Sequence, residues 1–114
     1  CDPAPCIARG MDTLSRLERT VAERRAADPS QSYVASLHAK GLPQIARKLG
    51  EEGVEAAVAT LSGSRDELVG EAADILFHLV VALQARDIPL AAVLAELDRR
   101  EGRSGIEEKA SRSA

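Results

Sequence analysis

The amino-acid sequence predicts an all-α fold, a helical bundle of about four to five helices, on three observations. The chain has 114 residues, which is room for one domain with a single core. Apolar residues make up 45% of it and aromatic residues only 2%, so the core is built from Leu, Val, Ile and Ala, a composition that favours helices. No segment shows the sustained period-two alternation of a half-buried strand.

The first predicted helix is capped by Asp12 and carries an apolar stripe of Leu14, Leu17 and Val21. It ends in the charged stretch before Pro29. A short second helix is expected from Ser32 to Ala39, closed by Lys40 and by Gly41, which suits a left-handed turn. Ahead of these helices, residues 1–10 contain both cysteines and precede the only methionine, Met11. We therefore expect residues 1–10 to be an upstream or vector-derived tail and residues 11–114 to form the single domain.

The third predicted helix, over residues 42–61, carries Pro43 in its first turn, where a missing N–H costs nothing. At about 100° per residue it has an apolar arc that should face the core, comprising Ile45, Ala46, Leu49, Gly53, Ala56 and Ala57. Beside it lies an acidic arc comprising Lys48, Glu51, Glu52 and Glu55. Taken alone, a solvated face with Glu51 and Glu52 paired to Lys48 or Arg47 explains the acidic arc equally well.

The fourth predicted helix opens with a capping box, Ser64–Glu67, and runs to about Arg86. Because residues 68–83 are apolar almost all round, this helix belongs in the middle of a bundle or at a subunit interface. A fifth helix is expected over Pro89–Arg100, and a weak capping signal at Ser104 precedes a charged tail.

Two acidic residues, Glu71 and Asp74, lie three apart on the apolar fourth helix. If both carboxylates were buried without a positively charged partner, each would destabilise the fold by roughly several kcal/mol. They therefore need cations. Salt bridges to basic residues are one solution. The more economical one is a four-carboxylate site formed with Glu52 and Glu55 of the third helix. Oxygen ligands alone select Mg²⁺ or Mn²⁺ over zinc, and such a site suits phosphoryl chemistry.

Several other classes of protein lack support. The net charge of −3 gives no reason to expect nucleic acid or an anionic membrane as partner. The longest apolar run, residues 75–83, is interrupted by His78 and is far shorter than the ~20 residues of a membrane span. A di-iron bundle requires Glu-x-x-His, which does not occur. His78 is expected to pack and hydrogen-bond across the bundle, at most behind the ligands.

The motifs EEGVE (Glu51–Glu55) and EAAD (Glu71–Asp74) resemble the EExxE…ExxD signature of the MazG-type all-α nucleotide pyrophosphohydrolases. The segments over residues 32–41, 45–59, 66–83 and 104–112 are similar to the phosphoribosyl-ATP pyrophosphatase family of histidine biosynthesis. The resemblance covers about residues 12–112. One departure is Gly53, a poor helix former inside the acidic helix.

This resemblance implies hydrolysis of the α–β phosphate bond of phosphoribosyl-ATP to phosphoribosyl-AMP and pyrophosphate. It further implies Mg²⁺, with Mn²⁺ as an alternative, a cytoplasmic location and a homodimer or higher homo-oligomer. Carried over by position, the metal ligands are Glu52, Glu55, Glu71 and Asp74. Glu51 is a ligand through water or a base that orients the attacking water. The candidates for the substrate's phosphates are Lys40, Lys48, Arg103 and Lys109. Surface charge explains Lys40, Arg103 and Lys109 equally well. For Lys48 the equal alternative is that it balances Glu51, Glu52 and Glu55.

Two other functions compete with this one. A house-cleaning enzyme that cleaves non-standard nucleoside triphosphates would share the acidic motif, and only the flanking segments argue against it. A non-catalytic helical module that senses nucleotides would have salt-bridged carboxylates, and Mg²⁺ would not raise its melting temperature.

Overall fold

The computed structural model describes the backbone of residues 3–101 and the side chains of residues 13–101. Within this range every regular element is a helix, which confirms the all-α prediction. The five helices are α1 (Pro3–Arg25), α2 (Tyr33–Lys40), α3 (Leu42–Ser62), α4 (Arg65–Ala85) and α5 (Leu90–Arg100). The signal at Ser104 and two of the substrate candidates, Arg103 and Lys109, lie outside the described residues.

The predicted caps position α2, α3 and α4. The hydroxyl of Ser32 accepts a hydrogen bond from the N–H of Ala35 at 3.2 Å, and that of Ser64 accepts one from Glu67 at 3.2 Å. Gly41 adopts φ +93°, which favours glycine, and its N–H closes α2 by donating to the carbonyl of Leu37. These local signals set the helix boundaries to within one or two residues of the prediction.

The predicted start of α1 is wrong. α1 begins at Pro3, so Asp12 lies inside the helix and not at its N-cap. A capping preference is worth only about 1 kcal/mol, and a preceding segment that can itself be helical overrides it. Pro3 stands at the first helical position, where its missing N–H costs nothing. Whether residues 1–10 are a foreign tail stays a prediction.

A single aliphatic core joins the first four helices. Its buried members are Val21 of α1, Val34 and Leu37 of α2, Ile45 of α3, and Val80 and Val81 of α4. All of the α3 and α4 members lie near the start of α3 or the end of α4. We call this part of the molecule the core end: α1, α2, residues 42–49 and residues 77–85.

The rest of α3 and α4 forms what we call the hairpin end, residues 50–76. The two helices have 21 residues each and are joined by only Gly63 and Ser64, so they pack antiparallel against each other. Large aliphatic side chains are exposed here, with Leu61 88% accessible to solvent. The others are Val54, Val58, Val69 and Leu76.

The expectation that the whole apolar arc of α3 faces the core is therefore wrong for the isolated chain. On the expected apolar arc of α3, Ile45 and Ala56 are buried, whereas Ala46, Gly53 and Ala57 are exposed. At the hairpin end the described part of the chain packs chiefly α4 against α3, which leaves the outer flank of the arc uncovered. Of the two places that the sequence allows for α4, the middle of the bundle is wrong for the isolated chain, since Val80 and Val81 are its only buried aliphatic residues in the described chain. The other, a subunit interface, stays a prediction.

By length and composition, α4 is also apolar enough to cross a membrane, although its uninterrupted apolar run is short. The core helix of a soluble protein passes the same test, so this property alone assigns no membrane role.

α5 is attached to the core end through Glu18 of α1. The carboxylate of Glu18 accepts a hydrogen bond from the N–H of Leu90 at 2.7 Å, which satisfies a free donor at the start of α5. The side-chain amide of Gln84 donates to the backbone carbonyl of Glu18 at 2.9 Å. Pro89 is the N-cap of α5, one residue before the helix proper, in place of the first helical residue that the sequence predicts.

Candidate active site

Three of the four predicted metal ligands converge at the hairpin end. Glu52 and Glu55 lie one turn apart on α3, and Glu71 faces them from α4. One carboxylate oxygen from each of the three lies within 4.8 Å of the others. We call these three side chains the carboxylate cluster.

The carboxylate cluster lacks the partners that buried charges normally have. Glu52 is buried, and its Oε2 atom has no hydrogen-bond partner among the described residues. The same holds for Oε2 of Glu71. None of the described ion pairs includes a residue of the cluster. Since an unpaired buried carboxylate is costly, this arrangement calls for a positive charge that the described side chains do not supply.

Burial and mutual repulsion both act on the protonation of the cluster. Burial raises the pKa of Glu52, and the neighbouring Glu55 and Asp74 raise it further. Burial also raises the pKa of Glu71, and contact with Glu55 adds to the effect. Like charges held together disfavour ionisation, and a cation bound among them would reverse that preference.

Asp74 lies beside the carboxylate cluster and outside the three-residue group. It is one turn beyond Glu71 on α4, and its side chain is exposed. Its charge still contributes to the raised pKa of both Glu52 and Glu71, so it is close enough to act on them. The structure thus brings three predicted ligands together and leaves the fourth at the edge.

Glu51 differs from the carboxylate cluster because it is ion-paired. Nε of Arg47 donates to Oε1 of Glu51 at 2.9 Å, and Nζ of Lys48 donates to Oε2 at 3.3 Å. These hydrogen bonds lower the pKa of Glu51 and raise that of Lys48. The ion-pair alternative from the sequence therefore describes Glu51 and not Glu52. Lys40, another substrate candidate, is exposed in the last turn of α2.

His78 behaves as the sequence predicts, and its partner, Tyr33, is a residue that the sequence reasoning missed. Nδ1 of the buried His78 lies 2.8 Å from the backbone carbonyl of Asp74, so Nδ1 is the donor. In the tautomer that this contact selects, Nε2 accepts a hydrogen bond from the hydroxyl of Tyr33 at 2.9 Å. The sequence signal for Tyr33 is its place directly after the Ser32 cap, which fixes the first turn of α2.

The environment of Tyr33 shows that its side chain lies close to the acidic residues. Burial is the main cause that raises the pKa of Tyr33. Glu52, Glu51 and Asp74 raise that pKa further, and Lys48 lowers it. The Tyr33–His78 pair therefore lies at the margin of the carboxylate cluster, on the side towards the core end.

The donor set fits a hard divalent cation. All three clustered ligands are carboxylate oxygens, and in two of these residues, Glu52 and Glu71, one buried oxygen has no hydrogen-bond partner among the described residues. A groove of about 350 Å³ opens beside Glu55 and Glu71 between α3 and α4, with Val54, Val58 and Gly63 on its walls. A cation at this position would have open space next to it for the phosphate groups of a substrate.

Comparison with known proteins points to a single family. The sequence model of the phosphoribosyl-ATP pyrophosphohydrolase family matches residues 14–101. A phosphoribosyl-ATP pyrophosphatase of Novosphingobium aromaticivorans is 67% identical over 102 residues, which is 90% of this chain and 95% of the relative. One from Erythrobacter litoralis is 64% identical over 90% of this chain and 98% of its own. One from Dinoroseobacter shibae is 58% identical over 90% of this chain and its full length.

Proposed function

The chain belongs to the phosphoribosyl-ATP pyrophosphohydrolase family, and from this premise we propose that it hydrolyses phosphoribosyl-ATP. Water would cleave the α–β phosphate bond to give phosphoribosyl-AMP and pyrophosphate, the second step of histidine biosynthesis. The observation that carries the proposal is the carboxylate cluster, whose oxygens converge without a basic partner in the described chain. It is formed by the two helices that carry the acidic motifs.

We propose that Glu52, Glu55 and Glu71 hold Mg²⁺, with Mn²⁺ as an alternative, and that Asp74 completes the set. When bound, the ion would polarise phosphoryl oxygens and ease deprotonation of a water molecule. The raised pKa values of Glu52 and Glu71 mean that these side chains bind protons more readily when no cation is present. Cation binding would therefore release protons, and its affinity would fall as the pH is lowered.

Of the two roles expected for Glu51, the ion pairs favour the orienting one. Its two hydrogen bonds lower its pKa, which makes it a weaker base but fixes its orientation. We propose that Glu51 orients the attacking water or a water ligand, and that Lys48 contacts a substrate phosphate from the same pair. Lys40, Arg103 and Lys109 stay candidates for the remaining phosphates.

We also propose that two copies of the chain associate through the hairpin end. Its exposed aliphatic side chains form a surface that an isolated soluble chain would rarely leave uncovered. A membrane is a poorer cover for this surface, because α4 carries Glu71 and Asp74 in its interior. Light scattering should show a Leu61→Lys variant as a monomer and a Leu97→Lys control, changed on α5, in the same state as the wild type.

We also propose that the protein is cytoplasmic and that it acts on a small-molecule nucleotide and not on nucleic acid.

Pyrophosphate release with Mg²⁺ tests the proposed reaction. Phosphoribosyl-ATP is compared with ATP and with a panel of non-standard triphosphates. Rapid release from phosphoribosyl-ATP alone is expected. Release from the other triphosphates would instead favour the house-cleaning alternative. No release from any of them, with no effect of Mg²⁺ on the melting temperature, would favour the nucleotide-sensing module.

A further inference from the structure

A second groove, of about 500 Å³, lies on the core-end side of the carboxylate cluster. It is bounded by Arg24 in the last turn of α1, by the segment that connects α1 to α2, by the first turn of α2 and by one residue of α4. Tyr33 and Phe77, the only tyrosine and the only phenylalanine in a chain without tryptophan, both line it. Their ring centroids are 6.1 Å apart, and their planes are within 21° of parallel.

His78 holds this aromatic pair in place. Besides the hydrogen bond to the hydroxyl of Tyr33, its ring packs edge-on against Tyr33 at 5.7 Å and against Phe77 at 5.2 Å. Tyr33 is nevertheless 49% exposed. An aromatic ring that is fixed by its neighbours but open to solvent offers a stacking surface at little cost in conformational entropy, and such surfaces bind nucleobases.

The groove also contains a side chain with the hydrogen-bonding capacity to bind a purine. Gln31 lines it, is exposed, and makes no side-chain hydrogen bond to another described residue. A glutamine amide offers one donor and one acceptor side by side, the pattern that pairs with an adenine edge. Stacking and an amide contact would thus come from positions only two residues apart in the sequence.

The position of the groove suits a nucleotide whose phosphates lie at the carboxylate cluster. Phe77 follows Asp74 by three residues on α4, so the two side chains are neighbours on one face. Tyr33 is close enough to Glu52 and Lys48 for their charges to act on it. The competing groove beside Glu55 and Glu71 has no aromatic residue and continues into the aliphatic surface of the hairpin end.

We propose that the groove beside Tyr33 and Phe77 binds the purine ring of the nucleotide substrate, with Tyr33 as the stacking residue. This proposal rests on the proposed function, because it takes the phosphates of that substrate to lie at the carboxylate cluster. The purine is recognised by the faces of the rings and by the Gln31 amide.

Intrinsic fluorescence tests the site directly, because all of the emission from tyrosine or tryptophan comes from Tyr33. AMP is titrated into the full-length protein in EDTA, with ribose 5-phosphate as the matched ligand without a base. Free N-acetyltyrosinamide corrects for absorption by the purine. AMP is expected to change the emission saturably, and ribose 5-phosphate is not. No saturable change with AMP, or equal changes with both ligands, would overturn the proposal.

Kinetics of variants separate this proposal from the proposed reaction. Tyr33→Leu is expected to raise KM for phosphoribosyl-ATP about tenfold and to leave kcat within about twofold, whereas Tyr33→Phe keeps the ring and stays near the wild-type KM. Gln31→Ala should also raise KM, and Gln44→Ala on α3 serves as its control.

An active wild type with no AMP response would refute the purine site alone. An AMP response without turnover of phosphoribosyl-ATP would refute the reaction alone. Melting curves show whether each variant is folded.

Discussion

The two ends of the α3–α4 pair differ in how much apolar surface the described chain covers and in whether it supplies partners for buried charged groups. At the core end an aliphatic cluster is buried, with Leu42 at its edge 49% exposed. The buried polar atoms without a described partner there, Nε2 of His38 and Oε1 of Gln84, belong to an imidazole and an amide and not to carboxylates. At the hairpin end large aliphatic side chains are exposed, and two buried carboxylate oxygens lack partners. The core end therefore accounts for folding. We propose that components outside the described chain complete the hairpin end: a cation, a substrate and a second copy.

Removing a member of the carboxylate cluster should have the largest effect. Glu55→Ala is expected to lower turnover of phosphoribosyl-ATP at least about 1,000-fold, because several kcal/mol of transition-state stabilisation depends on the bound cation. Glu67→Gln, which changes a carboxylate on the same groove but outside the cluster, should retain activity. Loss of the helical circular-dichroism signal in Glu55→Ala would mean that the residue acts on folding and not on the metal.

The contrast in burial predicts the next largest effect. Leu37→Ala, which empties a site in the core, should destabilise the protein by about 2–5 kcal/mol at any protein concentration. Leu61→Ala makes the same chemical change at an 88% exposed position. Its effect should grow with protein concentration, since the proposed dimer would cover Leu61. Denaturant unfolding at two concentrations measures both, and similar losses at low concentration would remove the distinction between the two ends.

The raised pKa of Glu52 predicts a smaller effect with a defined sign. Because burial and its neighbours raise this pKa, the ionised form destabilises the metal-free protein as the pH rises through the folded-state value. Glu52→Gln should therefore raise the melting temperature in EDTA by about 2–4 °C at pH 7.5. The gain should shrink near pH 4, where the wild-type carboxyl is protonated. A lower melting temperature at pH 7.5 would show that Glu52 is satisfied without a cation.

A carboxylate that already has hydrogen-bond partners should show the opposite change in melting temperature when it is substituted. Hydrogen bonds from Arg99 and Arg100 lower the pKa of Glu96 to about 2. Its contribution is therefore present above the ordinary value of 4.5 and is lost as the pH falls towards 2. Because this pair is solvent-exposed, the effect is the smallest of the series. Glu96→Gln should lower the melting temperature slightly at pH 6 and not at pH 2, and a constant difference would contradict the assignment.

Local signals in the sequence predict most of the fold. Ser32, Gly41 and Ser64 set three boundaries because their capping contacts involve residues within four positions. The predicted start of α1 at Asp12 is wrong because a capping preference does not show whether an earlier segment is also helical. The prediction for the apolar arc is wrong at Ala57 because periodicity marks an apolar surface, without showing whether the same chain covers it.

The site is predictable where it depends on spacing within a helix. The three-residue spacings on α3 and α4 give Glu52, Glu55 and Glu71, which the structure brings together. The contact between Tyr33 and His78 joins residues 45 positions apart, and no pattern in a single sequence gives such a pairing. Which of Glu51 and Glu52 is ion-paired, and which belongs to the carboxylate cluster, depends on which side chain faces α4. Packing fixes this, and composition does not.

The most direct test of the central claim is thermal unfolding with and without Mg²⁺ at low ionic strength. The claim is that the carboxylate cluster is a cation site, so Mg²⁺ should raise the melting temperature of the wild type by binding the folded state. The same concentration should leave a Glu55→Gln variant unchanged. No shift in the wild type, or an equal shift in the variant, would contradict the claim.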